Sequence, residues 1–214
     1  MKFGDLLALV GDEPLFEPDL FPTEEAAPAE LQRQLARWVK SGRLHELRRG
    51  LYALAVPFQK SSPHPFVVAN RLVPGSYVSL QSALAYYCLI PEHVAVTTSV
   101  TAGPPGVWDT PVGRYEFRHI RPNLLAEYQR TALSHGQEAL LATREKALLD
   151  LIYLVESGAE SPDVLQALRL QHLDHLDLGD LRRQAAALGE PQVVQATEWV
   201  VQLARTQIED YELF

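Results

Sequence analysis

One stretch, residues 29–54, leaves the chain few ways to fold. Leu31, Leu35, Trp38 and Val39 fall at i, i+4, i+7 and i+8. That apolar stripe predicts a helix from Ala29 to Ser41, with Pro28 acceptable at its first position and Gly42 closing it. Leu44 to Leu47 and Leu51 to Leu54 then read as two short strands around Arg48-Arg49-Gly50, where Gly50 supplies a positive φ. A second face of the same helix is cationic, because Arg33, Arg37 and Lys40 recur at i, i+4 and i+7.

Upstream, Phe3, Leu6, Leu7 and Val10 predict a first helix from Lys2 to about Val10, stopped by Gly11. Pro14, Pro18, Pro22 and Pro28 break any long helix after it, leaving at most a short turn around Pro18 to Phe21. Helix, helical turn, basic helix and hairpin follow one another as in a winged helix-turn-helix. Pro57 to Pro65, polar and interrupted by proline, reads as a linker.

The expected fold class is therefore α+β: an N-terminal winged helix-turn-helix over 1–58, followed over 65–214 by a larger α+β domain with a small antiparallel sheet and C-terminal helices. Phe66 to Leu72 predicts a short helix, and Ser79 is expected to cap another that runs to about Cys88. His93 to Ala102, Val107 to Thr110 and Arg114 to Ile120 predict strands separated by Gly103-Pro104-Pro105-Gly106 and Pro111-Val112-Gly113. Ala139 to Val155 reads as a mostly buried helix, because Ala147 to Val155 is apolar on nearly every side and interrupted only by Asp150. Ser161-Pro162 and Asp180 are candidate caps for two further helices. Gln192 to Ile208 predicts a last one, packed through Val193, Ala196, Trp199, Val200 and Leu203.

Charge is unevenly spread. The chain carries -8 overall, yet residues 31–60 hold seven Lys or Arg against Glu46 alone, while 1–30 and 61–214 each carry -7. A cationic segment inside an acidic chain points to a polyanion, most readily DNA. Set in a major groove, the basic helix would present Gln32, Arg33, Arg37 and Lys40, with Arg43, Arg48 and Arg49 reaching adjacent backbone or minor groove. Gln and Arg read base edges; Lys chiefly neutralises phosphate. The competing view is that these are solvated cations on an ordinary helix.

Other classes find less support. The N-terminus lacks the pattern of a signal peptide and no apolar run is long enough for a bilayer, so no membrane partner is expected. The single Cys88 fits a cytoplasmic protein and is expected to be buried. There is no glycine-rich phosphate loop, nucleophile elbow or paired-histidine metalloprotease motif, so neither enzymatic activity nor a cofactor is expected. His172 and His175, with Asp174 and Asp177 nearby, are compatible with a metal but read more simply as a solvated helix edge. Glu145 beside Lys146 is a weak hint of a nuclease. Tyr86, Tyr87, Tyr115, Phe117 and Tyr128 are candidates for a ligand pocket, although such aromatics more often fill a core.

Several motifs together resemble a known family. They are Ser41-Gly42-Arg43-Leu44, Arg48-Arg49-Gly50-Leu51-Tyr52-Ala53, Pro65-Phe66-Val67-Val68-Ala69, Gly75-Ser76-Tyr77-Val78-Ser79-Leu80-Gln81-Ser82-Ala83-Leu84 and Arg144-Glu145-Lys146-Ala147-Leu148-Leu149-Asp150-Leu151. In this order they are similar to the abortive-infection AbiEi-type antitoxins, predicted transcriptional regulators of phage defence. The resemblance spans about residues 30 to 155; the proline-rich acidic stretch before it departs from the family pattern. It implies a winged helix that represses its own operon at operator DNA, and a second domain that counteracts a nucleotidyltransferase toxin. A stand-alone winged-helix regulator with a ligand-sensing C-terminal domain is the alternative.

Overall fold

Proline and glycine divide the computed structural model, which describes residues 1–18, 28–158, 163 and 167–212, into short elements. Helix α1 covers Phe3–Val10. The Lys2 backbone N–H donates to the Asp5 carboxylate at 2.6 Å at its start, and Gly11 ends it with φ 61°. Phe16 then forms an antiparallel bridge to Tyr52. The turn expected around Pro18 to Phe21 lies, beyond Pro18, outside the described residues.

Helix α2 runs Pro28–Lys40 and leads into β1, Leu44–Arg48, and β2, Leu51–Leu54. The two strands pair antiparallel, Leu44 opposite Leu54, with a bulge between Glu46 and Arg48. Gly50 turns the chain with φ 81°, a conformation that L side chains rarely adopt.

This hairpin is buried on both faces. Leu44, Tyr52 and Leu54 join Leu6, Val10, Phe16, Leu35 and Trp38 in a small core. Leu47, Leu51 and Ala53 point the other way, into the large core that also holds Val68, Ala69 and Leu72. Strand alternation thus makes one ribbon the shared wall of two clusters.

The segment read as a linker is fastened down. Gln137, itself buried, accepts from the His64 backbone N–H at 2.8 Å and donates to the Ser62 carbonyl at 2.9 Å. Lys60 pairs with Asp12 at 2.8 Å. Beyond it come α3, Pro65–Leu72, β3, Tyr77–Val78, and α4, Leu80–Tyr86. Strands β4, Val96–Thr101, β5, Gly106–Thr110, and β6, Gly113–His119, match the three strands expected there. Two more, β7, Tyr128–Ala132, and β8, Glu138–Ala142, were not legible in the sequence.

Among the described residues the larger sheet has the order β5-β6-β4-β3-β8-β7. The antiparallel pairing expected in outline holds for β5–β6, β3–β4 and β7–β8, whereas β4–β6 and β3–β8 are parallel. Helix α5, Arg144–Glu156, starts five residues later than the periodicity predicts, because Ala139 to Ala142 are taken by β8 and Thr143 caps the helix by accepting from the Lys146 backbone N–H. Helix α6, Leu178–Leu188, is capped by Asp177 and not by Asp180. The Asp177 carboxylate accepts from the Asp180 backbone N–H at 2.9 Å. Helix α7 is Pro191–Glu212; Val193 and Val200 are buried in it, but Trp199 is 48% exposed and turned away from the core. The cap expected at Ser161-Pro162 lies outside the described residues. Cys88 is exposed, at the end of the turn after α4, where apolar neighbours in the sequence suggested burial.

Asp150 sits deep in this second region. Lys146 Nζ donates to its Oδ1 at 2.6 Å, and Ser79 Oγ and Tyr77 OH donate to Oδ2 at 2.6 and 3.1 Å. Ser79 therefore spends its hydroxyl on Asp150 and makes no side-chain cap on α4, contrary to the sequence expectation. Burial pushes the Asp150 carboxyl above its ordinary range, against the pull of Lys146, Ser79 and Tyr77. The network ties β3 to α5 through a charge that water cannot reach. Replacing Asp150 by Ala is expected to cost about 3–5 kcal/mol by stranding the ammonium of Lys146. The pair Lys146→Met and Asp150→Leu should cost much less, as urea unfolding of both variants will test; equal losses would contradict this account.

Candidate nucleic-acid interface

The amphipathic sequence of α2 turns into a two-sided helix. Leu35 and Trp38 are buried, Leu31 and Val39 pack against them, and Gln32, Arg33, Ala36, Arg37 and Lys40 are exposed. At 100° per residue, Arg33, Arg37 and Lys40 share one face, with the small Ala36 beside them. Ala36 lets that face approach a partner closely.

Arg43 continues the cationic surface past the helix end. Its guanidinium lies over the Phe3 ring at 5.1 Å, a contact that holds the side chain in place while leaving it exposed. Phe3 is in turn edge-on to Trp38, with ring centroids 5.3 Å apart. The position of Arg43 is thereby coupled to the small core.

The hairpin arginines part company. Arg49 is exposed at the turn, whereas Arg48 is folded inward. Arg48 Nε donates to the Arg71 carbonyl at 3.1 Å and Nη2 reaches Glu17 Oε1 at 3.1 Å, with the side chain 25% exposed. The expectation that Arg48 reaches outward beside Arg49 is corrected: it fastens the hairpin to α3. The bulge between Glu46 and Arg48 shifts the register before Arg48 and so redirects the strand end.

Nearby carboxylates remove some of the remaining cations from play. Arg33 pairs with Glu30 at 3.4 Å, and Lys60 is held by Asp12. Among the described residues Arg37, Lys40 and Arg49 make no ion pair. The cations that stay exposed without an ion pair among the described residues are Arg37, Lys40, Arg43 and Arg49, with Gln32 and the loosely paired Arg33 also exposed on α2. An exposed i,i+3 pair such as Glu30–Arg33 contributes little and gives way easily to a phosphate.

The other sequence candidates do not converge. Tyr115 and Phe117 are fully buried in the core, Tyr87 donates its hydroxyl to the Ala142 carbonyl at 2.9 Å, and Tyr128 stacks on Tyr77 at 4.6 Å. Tyr86 alone of those five aromatics lines a groove of about 310 Å³, beside His64 and Phe66. His172 and His175 stack on each other, centroids 5.7 Å apart, around a 3-10 turn and not along an α-helix edge. Among the described residues no three His, Cys, Asp or Glu side chains group as metal ligands, and no helix is long and apolar enough to cross a membrane. Glu145 accepts from the Asp177 backbone N–H at 2.9 Å, which accounts for it as a link between α5 and the start of α6.

A cleft beside Lys146, with Gln184 in its wall, is nearly invisible in the sequence. Its one legible signal is the spacing of four between Lys146 and Asp150, the latter set inside the apolar run 147–155. No protein-family model matches the chain, and no curated protein matches it in sequence.

Proposed function

We propose that the protein is a cytoplasmic DNA-binding transcriptional regulator that docks through α2 and the hairpin turn. The observation that supports this reading is the exposure of Gln32, Arg33, Arg37, Lys40, Arg43 and Arg49 on or beside elements that bury Leu35, Trp38, Leu44 and Leu47. The α1, Phe16 bridge, α2, β1–β2 order supports a winged helix-turn-helix, with α2 as recognition helix and Arg49 at the wing. Phosphate contacts by Arg37, Lys40, Arg43 and Arg49 would set the register, and Gln32 and Arg33 would read bases. Acidic residues elsewhere keep the rest of the molecule off the polyanion, which favours one docking face.

The resemblance to the AbiEi-type antitoxins extends the proposal: the regulator represses its own operon and counteracts a nucleotidyltransferase toxin. The acidic balance of residues 61–214 supports this, because it complements a partner that handles nucleic acid through a basic surface. No enzymatic step is assigned to the chain. A stand-alone regulator with a ligand-sensing C-terminal region is the alternative, and the cleft beside Lys146 is the observation in its favour.

Fluorescence anisotropy with the duplex upstream of the gene tests the docking face. Arg37→Ala with Arg49→Ala should weaken binding and shorten the slope of log K against log salt by roughly 2, about 0.9 for each lost phosphate contact. Arg48→Ala should leave that slope unchanged. An unaltered slope in the double variant would remove the assignment. For the antitoxin role, co-expression with a nucleotidyltransferase encoded beside the gene should restore growth. Continued growth arrest despite soluble, folded protein would leave the regulator without that second activity.

A further inference from the structure

Between α5, α6 and the short turn at 122–124, the described residues enclose a cleft of about 160 Å³. Two of its polar groups are withdrawn from water and only partly used. The Lys146 side chain is 6% exposed and gives one hydrogen bond, to Asp150, out of the three N–H donors an ammonium carries. Gln184 is equally buried; its amide N–H donates to Asp180 at 2.7 Å, which identifies Oε1 as the other end of the group. That oxygen has no hydrogen-bond partner among the described residues.

A buried donor short of acceptors and a buried acceptor short of a donor call for an occupant that supplies both. The cleft also carries both signs of charge, with Glu127 in its lining opposite in sign to Lys146 and Arg183. Asp150 and Asp180 already face those two cations, so a plain anion finds no excess positive charge. A dipolar molecule fits this balance better than a singly charged one. Leu124, Leu149 and Leu188 complete the lining with apolar surface.

Size narrows the class. The volume is close to the roughly 150 Å³ that accommodates a benzene-sized molecule and lies below the range of about 300 Å³ and more typical of larger ligands. We propose that this cleft binds a free α-amino acid with a short aliphatic side chain. Its carboxylate would be taken by Lys146, its ammonium by Gln184 Oε1 and Glu127, and its side chain by the leucines. The inference stands apart from the DNA-binding reading, and its test contains no nucleic acid.

Calorimetric titration of the full chain with L-valine tests it, with isovalerate, which lacks the ammonium, and isobutylamine, which lacks the carboxylate, as comparisons. Valine is expected to bind, and each truncated analogue to bind at least about tenfold more weakly, the loss of one good polar contact. Because Lys146 also neutralises Asp150, the first variant is Gln184→Leu, which leaves that pair intact. It should weaken valine about tenfold while leaving isovalerate unchanged. Glu127→Gln, with its folding checked by circular dichroism, removes the charge of the second ammonium partner and should also weaken valine while leaving isovalerate unchanged. No heat at about 20 mM valine, where a millimolar Kd would saturate, means that water alone occupies the cleft and overturns the proposal. Equal binding of either analogue, or unchanged valine binding by Gln184→Leu, overturns it as well.

Discussion

The β1–β2 hairpin is the piece on which the arrangement of the molecule depends, because both of its faces are buried and each belongs to a different core. Tyr52 and Leu54 alternate with Leu51 and Ala53 along one strand, so the same four residues hold α1 and α2 on one side and α3 on the other. A free wing could swing; this one is held. Arg48 adds a polar fastening at the strand end through Glu17 and the Arg71 carbonyl. Gln137 clamps the following segment from a strand far along the chain. The cationic face of α2 is therefore presented in a fixed direction relative to the larger sheet, which is what a docking surface needs if ordering its side chains is not to consume the binding energy.

Charge in the N-terminal region is sorted by the same packing. Acidic residues near the amino end do not simply dilute the basic segment; Glu17 meets Arg48 and Arg71, and Asp12 meets Lys60. The formal charge of residues 31–60 overstates what a partner would meet, and exposed Arg37, Lys40, Arg43 and Arg49 are the part that remains unpaired by carboxylates. In the second region the opposite situation holds. The Lys146–Asp150 pair is buried, and the Asp150 carboxylate is supported by hydroxyls from Tyr77 and Ser79.

Much of the N-terminal region was legible because its signals are local. The stripe in α2, Gly11, Gly42 and the turn at Gly50 each act within a few residues, and the elements start and stop where they predict. Where tertiary pairing decides, the sequence is silent. Ala139 to Ala142 favour a helix by composition, yet they pair with Tyr128 to Thr131, and Leu141 also pairs with β3. Strand β7 is largely exposed, so it shows no apolar alternation. Arg48 looks like its neighbour Arg49 in one dimension, and only the bulge and the approach of α3 separate their roles. The cleft is assembled from residues about sixty positions apart, Glu127 to Leu188, and no spacing rule brings those together.

The central claim is that one fixed face, running from Arg37 to Arg49, meets DNA. Arginine modification by phenylglyoxal, mapped by mass spectrometry with and without the upstream duplex, tests it most directly. The account predicts that DNA shields Arg37, Arg43 and Arg49, that Arg48 reacts slowly in both states, and that Arg114 on β6 and Arg130 on β7 of the larger sheet are unaffected. Shielding of Arg114 or Arg130 with Arg37 and Arg49 left reactive would contradict it.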